Sequence, residues 1–176
     1  VSRGFIRVDS DEVTYPLHII LRYRLEKDMV NGKLKVKDLP EAWNSGMKEL
    51  IGAVPPDDRR GCLQDIHWYG GSFGYFPAYA LGAMIAAQFV SKMKQDIPDV
   101  FPQVDKGNVA AFTGWLKDNV QSKGCLYKPQ ELVEKVTGQK MSAVFMKQHL
   151  SQRYLGKTYK DTSCSVTSAH AAKRHA

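Results

Sequence analysis

Gly61-Cys62-Leu63-Gln64-Asp65-Ile66-His67-Trp68, followed by Gly70-Gly71-Ser72-Phe73-Gly74-Tyr75-Phe76-Pro77-Ala78-Tyr79, is the stretch on which the reading of this chain turns. It gathers a Gln, an Asp, a His, a Trp and two Tyr around a Gly-rich turn, where the backbone is free to adopt angles that other residues avoid. Side chains rich in hydrogen-bonding groups are costly in a plain core. A ligand-facing segment is the reading they suggest. Beyond it, Leu81, Met84, Ile85, Phe89 and Met93 recur at helical spacing and predict a helix over 79–94. Gly82, Ala83, Ala86 and Ala87 would let another helix approach closely.

Toward the N-terminus the helical pattern continues. Asp9-Ser10-Asp11-Glu12 resembles a capping box, in which a carboxylate satisfies amides left free at a helix start. Pro16 is tolerable only near that first turn or at a kink. Leu17, Ile20, Leu21, Leu25 and Met29 then supply one apolar face, and Asn31-Gly32 ends the element. Residues 33–36 read as a short extended link. Asp38-Leu39-Pro40-Glu41 is a second start signal, with Trp43, Met47, Leu50 and Ile51 on its inner face. The paired prolines of Val54-Pro55-Pro56 make a loop. Downstream, 97–102 reads as a turn, and 108–120, 129–136 and 142–154 read as helices. Strand signals are weak throughout. The small, polar residues from 161 to 176 read as a disordered tail.

With 176 residues, 43% of them hydrophobic, the chain has enough material for a folded core. No apolar run is long enough to span a bilayer, and no signal segment opens the chain. The first residue is Val1, so the expectation is a chain that begins partway through a longer protein. The net charge of +7 admits nucleic-acid binding. However, Lys and Arg are spread along the chain and mixed with acids, as in Arg24-Leu25-Glu26-Lys27-Asp28. A solvated basic surface is the favoured reading. Three distant cysteines, Cys62, Cys125 and Cys164, with no C-x-x-C, fit a reducing cytoplasm. Cys62 lies inside the polar stretch, where a buried small hydrophobe is the simpler reading than a nucleophile.

No pair among His18, His67, His149, His170 and His175 stands four apart, the helical spacing that presents two imidazoles to one zinc ion. The expectation is that this segment holds no catalytic metal. Arg7, in Ile6-Arg7-Val8-Asp9-Ser10-Asp11, is either a structural ion pair or a bidentate clamp on a carboxylate. Taken singly, His67, Gln64, Asp65, Tyr75 and Tyr79 are unremarkable core or loop residues. Together on a Gly-rich loop they can aim several donors at one developing negative charge.

Two segments carry a family resemblance. Ile6-Arg7-Val8-Asp9-Ser10-Asp11 resembles the I-R-x-x-A-D segment of the M32 metallocarboxypeptidases, the carboxypeptidase Taq family, with Ser10 in place of Ala. Gly61 to Trp68 resembles that family's G-x-x-Q-D-x-H-W segment at every fixed position. The likeness runs to about Tyr159 and looks nearest to the trypanosomatid members. It implies an all-α fold, the C-terminal part of a two-walled helical groove similar to neurolysin and angiotensin-converting enzyme, with at most a short β element. On this reading residues 1–160 belong to the catalytic domain. The implied activity is removal of C-terminal residues from peptides by a cytoplasmic homodimer. It uses zinc or cobalt held upstream by His-Glu-x-x-His and a later Glu, with neither nucleic acid nor membrane as partner. Carried over by motif position, Arg7 would grip the terminal carboxylate and Tyr79 would join it. His67 and Tyr75 would serve the peptide backbone or oxyanion, and Gln64 and Asp65 would orient His67 and its loop. A second reading is a catalytically inactive helical remnant that binds peptides.

Overall fold

The computed structural model describes residues 1–159, so the tail expected from 161 onward lies outside the described residues. The chain divides into two compact units, Val1–Ala83 and a second that begins at Met84. Seven α-helices lie along the described residues: α1 Tyr15–Val30, α2 Leu39–Leu50, α3 Phe76–Asp96, α4 Val100–Asp105, α5 Ala110–Asn119, α6 Pro129–Thr137 and α7 Val144–Leu155. Short 3-10 turns occur at Arg7–Asp9, Val36–Asp38 and Gln121–Lys123. No strand occurs among the described residues, so the fold class is all-α.

The start of α1 differs in detail from its expectation. Asp9 lies in a 3-10 turn. It is Asp11 whose Oδ1 accepts from the amides of Val13 and Thr14 at 3.0 and 2.9 Å, shaping the turn that leads into the helix. Pro16 and Pro40 sit in the first turns of α1 and α2, where a missing N–H costs nothing. Asp38 precedes α2 as expected, but its side chain makes no capping bond. Of residues 33–36, expected as an extended link, Lys35 is extended, while Lys33 and Leu34 bend and Val36 opens a 3-10 turn.

In the first unit α1 packs on α2. Leu21, Leu25, Leu39, Trp43, Met47, Ile51 and Cys62 form its apolar core. Gly46 permits the contact: a Cβ there would lie 2.2 Å from Leu21 Cδ1. Gly82, expected to play such a role, has no neighbour that close. The buried face of α1 is also rotated from the apolar pattern. Ile19 is buried and Ile20 is exposed, while His18, Arg22 and Glu26 face inward. Three polar groups spaced four apart therefore form one buried stripe, in which partners from distant loops meet Arg22 and Glu26.

The second unit is built around Phe89, Met93, Val100, Trp115 and Val133. Buried Gln88 ties its chain together. Its amide nitrogen donates to Thr137 Oγ1 at 3.0 Å, and its oxygen accepts from the Ser142 amide at 3.1 Å. Where a simple turn was expected, α4 forms over 100–105, with Pro102 accommodated in its first turn.

Candidate functional site

The site lies within the first unit, where the N-terminal segment, α1 and the 61–79 stretch meet. Gln64 makes that meeting possible. Its amide nitrogen donates to the carbonyls of Phe5, Arg60 and Gly61 at 3.0, 2.9 and 3.0 Å. Its oxygen accepts from the backbone N–H of Arg7 and from Arg22 Nη2, both at 2.8 Å. One side chain thus fastens residues 5–7 to a loop almost sixty residues away.

Asp65 lies between two arginines. Its Oδ1 accepts from Arg7 Nε at 3.0 Å and Nη2 at 2.8 Å. Its Oδ2 accepts from Arg22 Nε at 2.5 Å. Arg22 is fully buried. It also donates to the His18 carbonyl at 2.8 Å, and its guanidinium stacks 4.6 Å from the Trp43 ring centroid. Burial would raise the Asp65 pKa, but hydrogen bonds and charge from Arg7 and Arg22 prevail and hold it below the usual carboxylate range. Burial pulls Arg22 down to about 10, against the opposing pull of Asp65, so it is charged at neutral pH. Burial, with Arg22 beside it, drives His18 down to about 4, a contact to the Gly4 backbone opposing, and leaves it neutral.

At neutral pH this hydrogen-bonded cluster therefore holds two guanidinium charges against one carboxylate. Glu26, one turn along α1, directs its oxygens to Trp68 Nε1, at 2.7 Å, and to the Gly74 amide. It accepts from neither arginine. The cluster carries one excess positive charge. Arg7 is where that charge can be met: its bonds to Asp65 and to Tyr15 Oη, the latter at 3.1 Å, use three of the five N–H groups of a guanidinium. One N–H remains on each terminal nitrogen, on a side chain that keeps 8% of its surface exposed.

Around Arg7 stands a group of aromatic rings. The Tyr79 centroid lies 5.1 Å from Arg7 Cζ. His67 Nε2 is hydrogen-bonded to Tyr79 Oη at 3.0 Å. Phe76 stacks on His67 with centroids 4.4 Å apart, and half-exposed Tyr75 stands 5.8 Å from the same ring. His67 Nδ1 is buried with no hydrogen-bond partner among the described residues, 4.0 Å from Asp65 Oδ1.

All six candidate residues thus fall in one region: Arg7, Gln64, Asp65, His67, Tyr75 and Tyr79. The division of labour among them differs from the expectation in one respect. Among the described residues, Gln64 and Asp65 hold Arg7 and Arg22, and neither hydrogen-bonds the His67 ring. The carboxylate that balances Arg7 is that of Asp65. Arg22, Glu26 and Tyr15 belong to the same network and were not picked out from sequence, although the i, i+4, i+8 spacing of His18, Arg22 and Glu26 marks one helix face. Cys62 is buried, and burial pushes its thiol up, which suits a packing role. No group of three His, Cys, Asp or Glu able to hold a metal ion occurs among the described residues. No helix among them is long and apolar enough to cross a membrane.

Residues 1–154 match the family described as carboxypeptidase Taq (M32) metallopeptidase. Carboxypeptidase 1 of Bacillus subtilis is 42% identical over 151 residues, covering 86% of this chain and 30% of that protein. Thermostable carboxypeptidase 1 of Pyrococcus furiosus is 42% identical over 155 residues, covering 88% and 31%. The structure of Trypanosoma cruzi metallocarboxypeptidase 1 superposes with a TM-score of 0.85 at 38% identity, covering 88% of this chain and 33% of that one. The chain spans about a third of the length of the relatives it matches. These identities do not set the trypanosomal protein apart from the bacterial and archaeal ones.

Proposed function

This chain belongs to the carboxypeptidase Taq (M32) metallopeptidase family, and on that premise we propose that it forms the substrate-binding C-terminal part, residues 1–160, of a metal-dependent carboxypeptidase's catalytic domain. The complete protein would remove C-terminal residues from peptides. The observation that carries this reading is the excess positive charge of the Arg7–Asp65–Arg22 cluster, with two N–H groups of Arg7 left to meet a carboxylate. An exopeptidase needs such a clamp, because reading the terminal carboxylate is what separates it from an endopeptidase.

In this proposal Arg7 takes the terminal carboxylate end-on and Tyr79 Oη joins it. Asp65 and Gln64 fix the Arg7 side chain and backbone. His67, whose Nε2 already shares a proton with Tyr79, and Tyr75 face the peptide backbone or the developing oxyanion. The family implies a divalent metal. The described residues do not fit one. We assign zinc, or cobalt, to the remainder of a longer polypeptide, as the threefold length of the relatives suggests. The reading extends to a homodimer, as the family resemblance implies, and to the cytoplasm, in keeping with unpaired Cys62 and Cys125.

The test is made on the complete protein with matched free-acid and C-terminally amidated peptides. Cleavage should favour the free acid strongly. Arg7→Ala should lower kcat/KM for the acid by about 2–5 kcal/mol of transition-state binding, tens- to thousands-fold. Equal cleavage of acid and amide by the unsubstituted protein would end the clamp assignment.

A further inference from the structure

Arg22 has no direct route to a substrate. It is fully buried, sealed by the Trp43 and Phe76 rings, with its centre 4.6 and 5.6 Å from their centroids. Yet it touches both residues that hold Arg7. Its Nη2 shares Gln64 Oε1 with the Arg7 backbone amide, and its Nε takes the second oxygen of Asp65. A helix packed against an apolar core does not need a guanidinium there. A buried charge lowers stability unless it is matched, and replacing a whole buried ion pair with apolar side chains is often neutral or stabilising.

We infer that Arg22 is a positioning residue that sets the charge of the substrate clamp. It occupies half of Asp65, so that Arg7 is oriented by a carboxylate without being neutralised by it. Without Arg22, one arginine would face one carboxylate, and the cluster would have no charge left for an incoming anion. With Arg22, Asp65 serves as the bridge between two cations, and the surplus charge is available at the end-on edge of Arg7. The ligand class is the C-terminal carboxylate of a peptide. The inference rests on the clamp reading of Arg7 given above and adds the source of the clamp's charge.

The experiment compares the complete protein with Arg22→Gln, Arg22→Lys and the double variant Arg22→Gln/Asp65→Asn. The substrate is an N-blocked dipeptide with a free C-terminal carboxylate, and folding is checked by circular dichroism. Arg22→Gln leaves the cluster neutral and should raise KM about tenfold or more with little change in kcat, as loss of uniform binding does. Arg22→Lys keeps the charge and should recover most of that loss. The double variant removes one charge of each sign and restores the surplus on Arg7 but loses the carboxylate that orients it, so its KM should fall below that of Arg22→Gln without reaching the parent value. A purely structural Arg22 would instead show as lost stability on urea unfolding, with KM unchanged in every variant that folds. A folded Arg22→Gln with parental KM, or a double variant no better than Arg22→Gln, overturns the inference. If Arg22→Gln does not fold, the charge-conserving Arg22→Lys carries the test alone, and a tenfold rise in its KM with the fold intact overturns the inference. Arg7→Gln run in parallel separates the two claims. If Arg7→Gln leaves KM unchanged, the clamp reading fails. If it raises KM while Arg22→Gln does not, only the role of Arg22 fails.

Discussion

Glu26 and Trp68 are joined across 42 residues of chain, the carboxylate Oε2 accepting from the indole Nε1 at 2.7 Å. The other oxygen of Glu26 accepts from the Gly74 amide. One side chain on α1 therefore fixes both ends of the Gly-rich turn that precedes Tyr75. Its position on the buried stripe explains why a turn containing Gly70, Gly71 and Gly74, with positive φ at the last two, is held in one arrangement against a large entropic cost.

Glu26→Gln should destabilise the first unit by about 1–3 kcal/mol, because an amide can accept only one of the two bonds and turns its NH2 toward a donor. Urea unfolding measures this. The loss should shrink when Trp68→Phe is already present, since the bond to the indole is then gone. Fully additive losses would mean the bond contributes nothing.

Gly46→Ala should lower stability despite the helix propensity of Ala, which favours the substitution by about 1 kcal/mol. The new Cβ would stand 2.2 Å from Leu21 Cδ1, and Leu21 is buried. Overpacking costs typically 1–3 kcal/mol, so a net loss of about 1 kcal/mol is expected. A rise in Tm on thermal unfolding would show that α1 and α2 do not approach as closely as described.

Acid should weaken the first unit in two successive windows. His18 is held at about 4, below its ordinary 6.5, mainly by burial and by Arg22, with Asp65 opposing and Arg7 assisting. Between those values the unfolded chain binds the proton and the folded one does not, so stability falls as pH drops from 6.5 to 4, by on the order of 3 kcal/mol. Asp65, whose pKa is lowered by Arg7 and Arg22 against the effect of burial, acts below that window. Its contribution is present above about pH 4 and is lost as pH falls through its folded value. His18→Leu should flatten the upper slope and leave the lower one. Equal slopes between pH 4 and 6.5 in parent and variant, measured by urea unfolding, would count against a buried neutral His18.

Much of the fold was legible because its punctuation is local. Pro16, Pro40 and Pro129 open helices, and Gly32, Gly52 and Gly138 take the positive φ that follows helix ends. The short α4 was obscured because Pro98 and Pro102 read as breakers, although a proline within the first turn blocks nothing. The site was legible as a set of residues, since the polar stretch from Gln64 to Tyr79 is contiguous or nearly so. Its wiring was not. Arg22 and Glu26 look like ordinary solvated charges on α1, and only the return of residues 64–74 shows them to be buried and matched. Apolar periodicity assigned Ile20 to the interior, whereas the helix turns its polar stripe there because Asp65, Gln64, Trp68 and Gly74 supply the bonds.

The hydrogen bond between His67 Nε2 and Tyr79 Oη joins the two residues to which the proposed function gives separate roles, gripping the carboxylate and serving the oxyanion. Tyr79→Phe keeps the ring that packs 5.1 Å from Arg7 and removes only the hydroxyl. In the complete protein it should raise KM for free-acid peptides, through the lost carboxylate contact, and also lower kcat, through a His67 no longer held by its Nε2 partner. Each effect should be about five- to thirtyfold, the range of one hydrogen bond at about 1–2 kcal/mol. Added to His67→Gln, Tyr79→Phe should lose its effect on kcat and keep its effect on KM. If the kcat effects of the two substitutions instead multiply, the hydroxyl and the imidazole act independently, and the bond between them has no part in turnover.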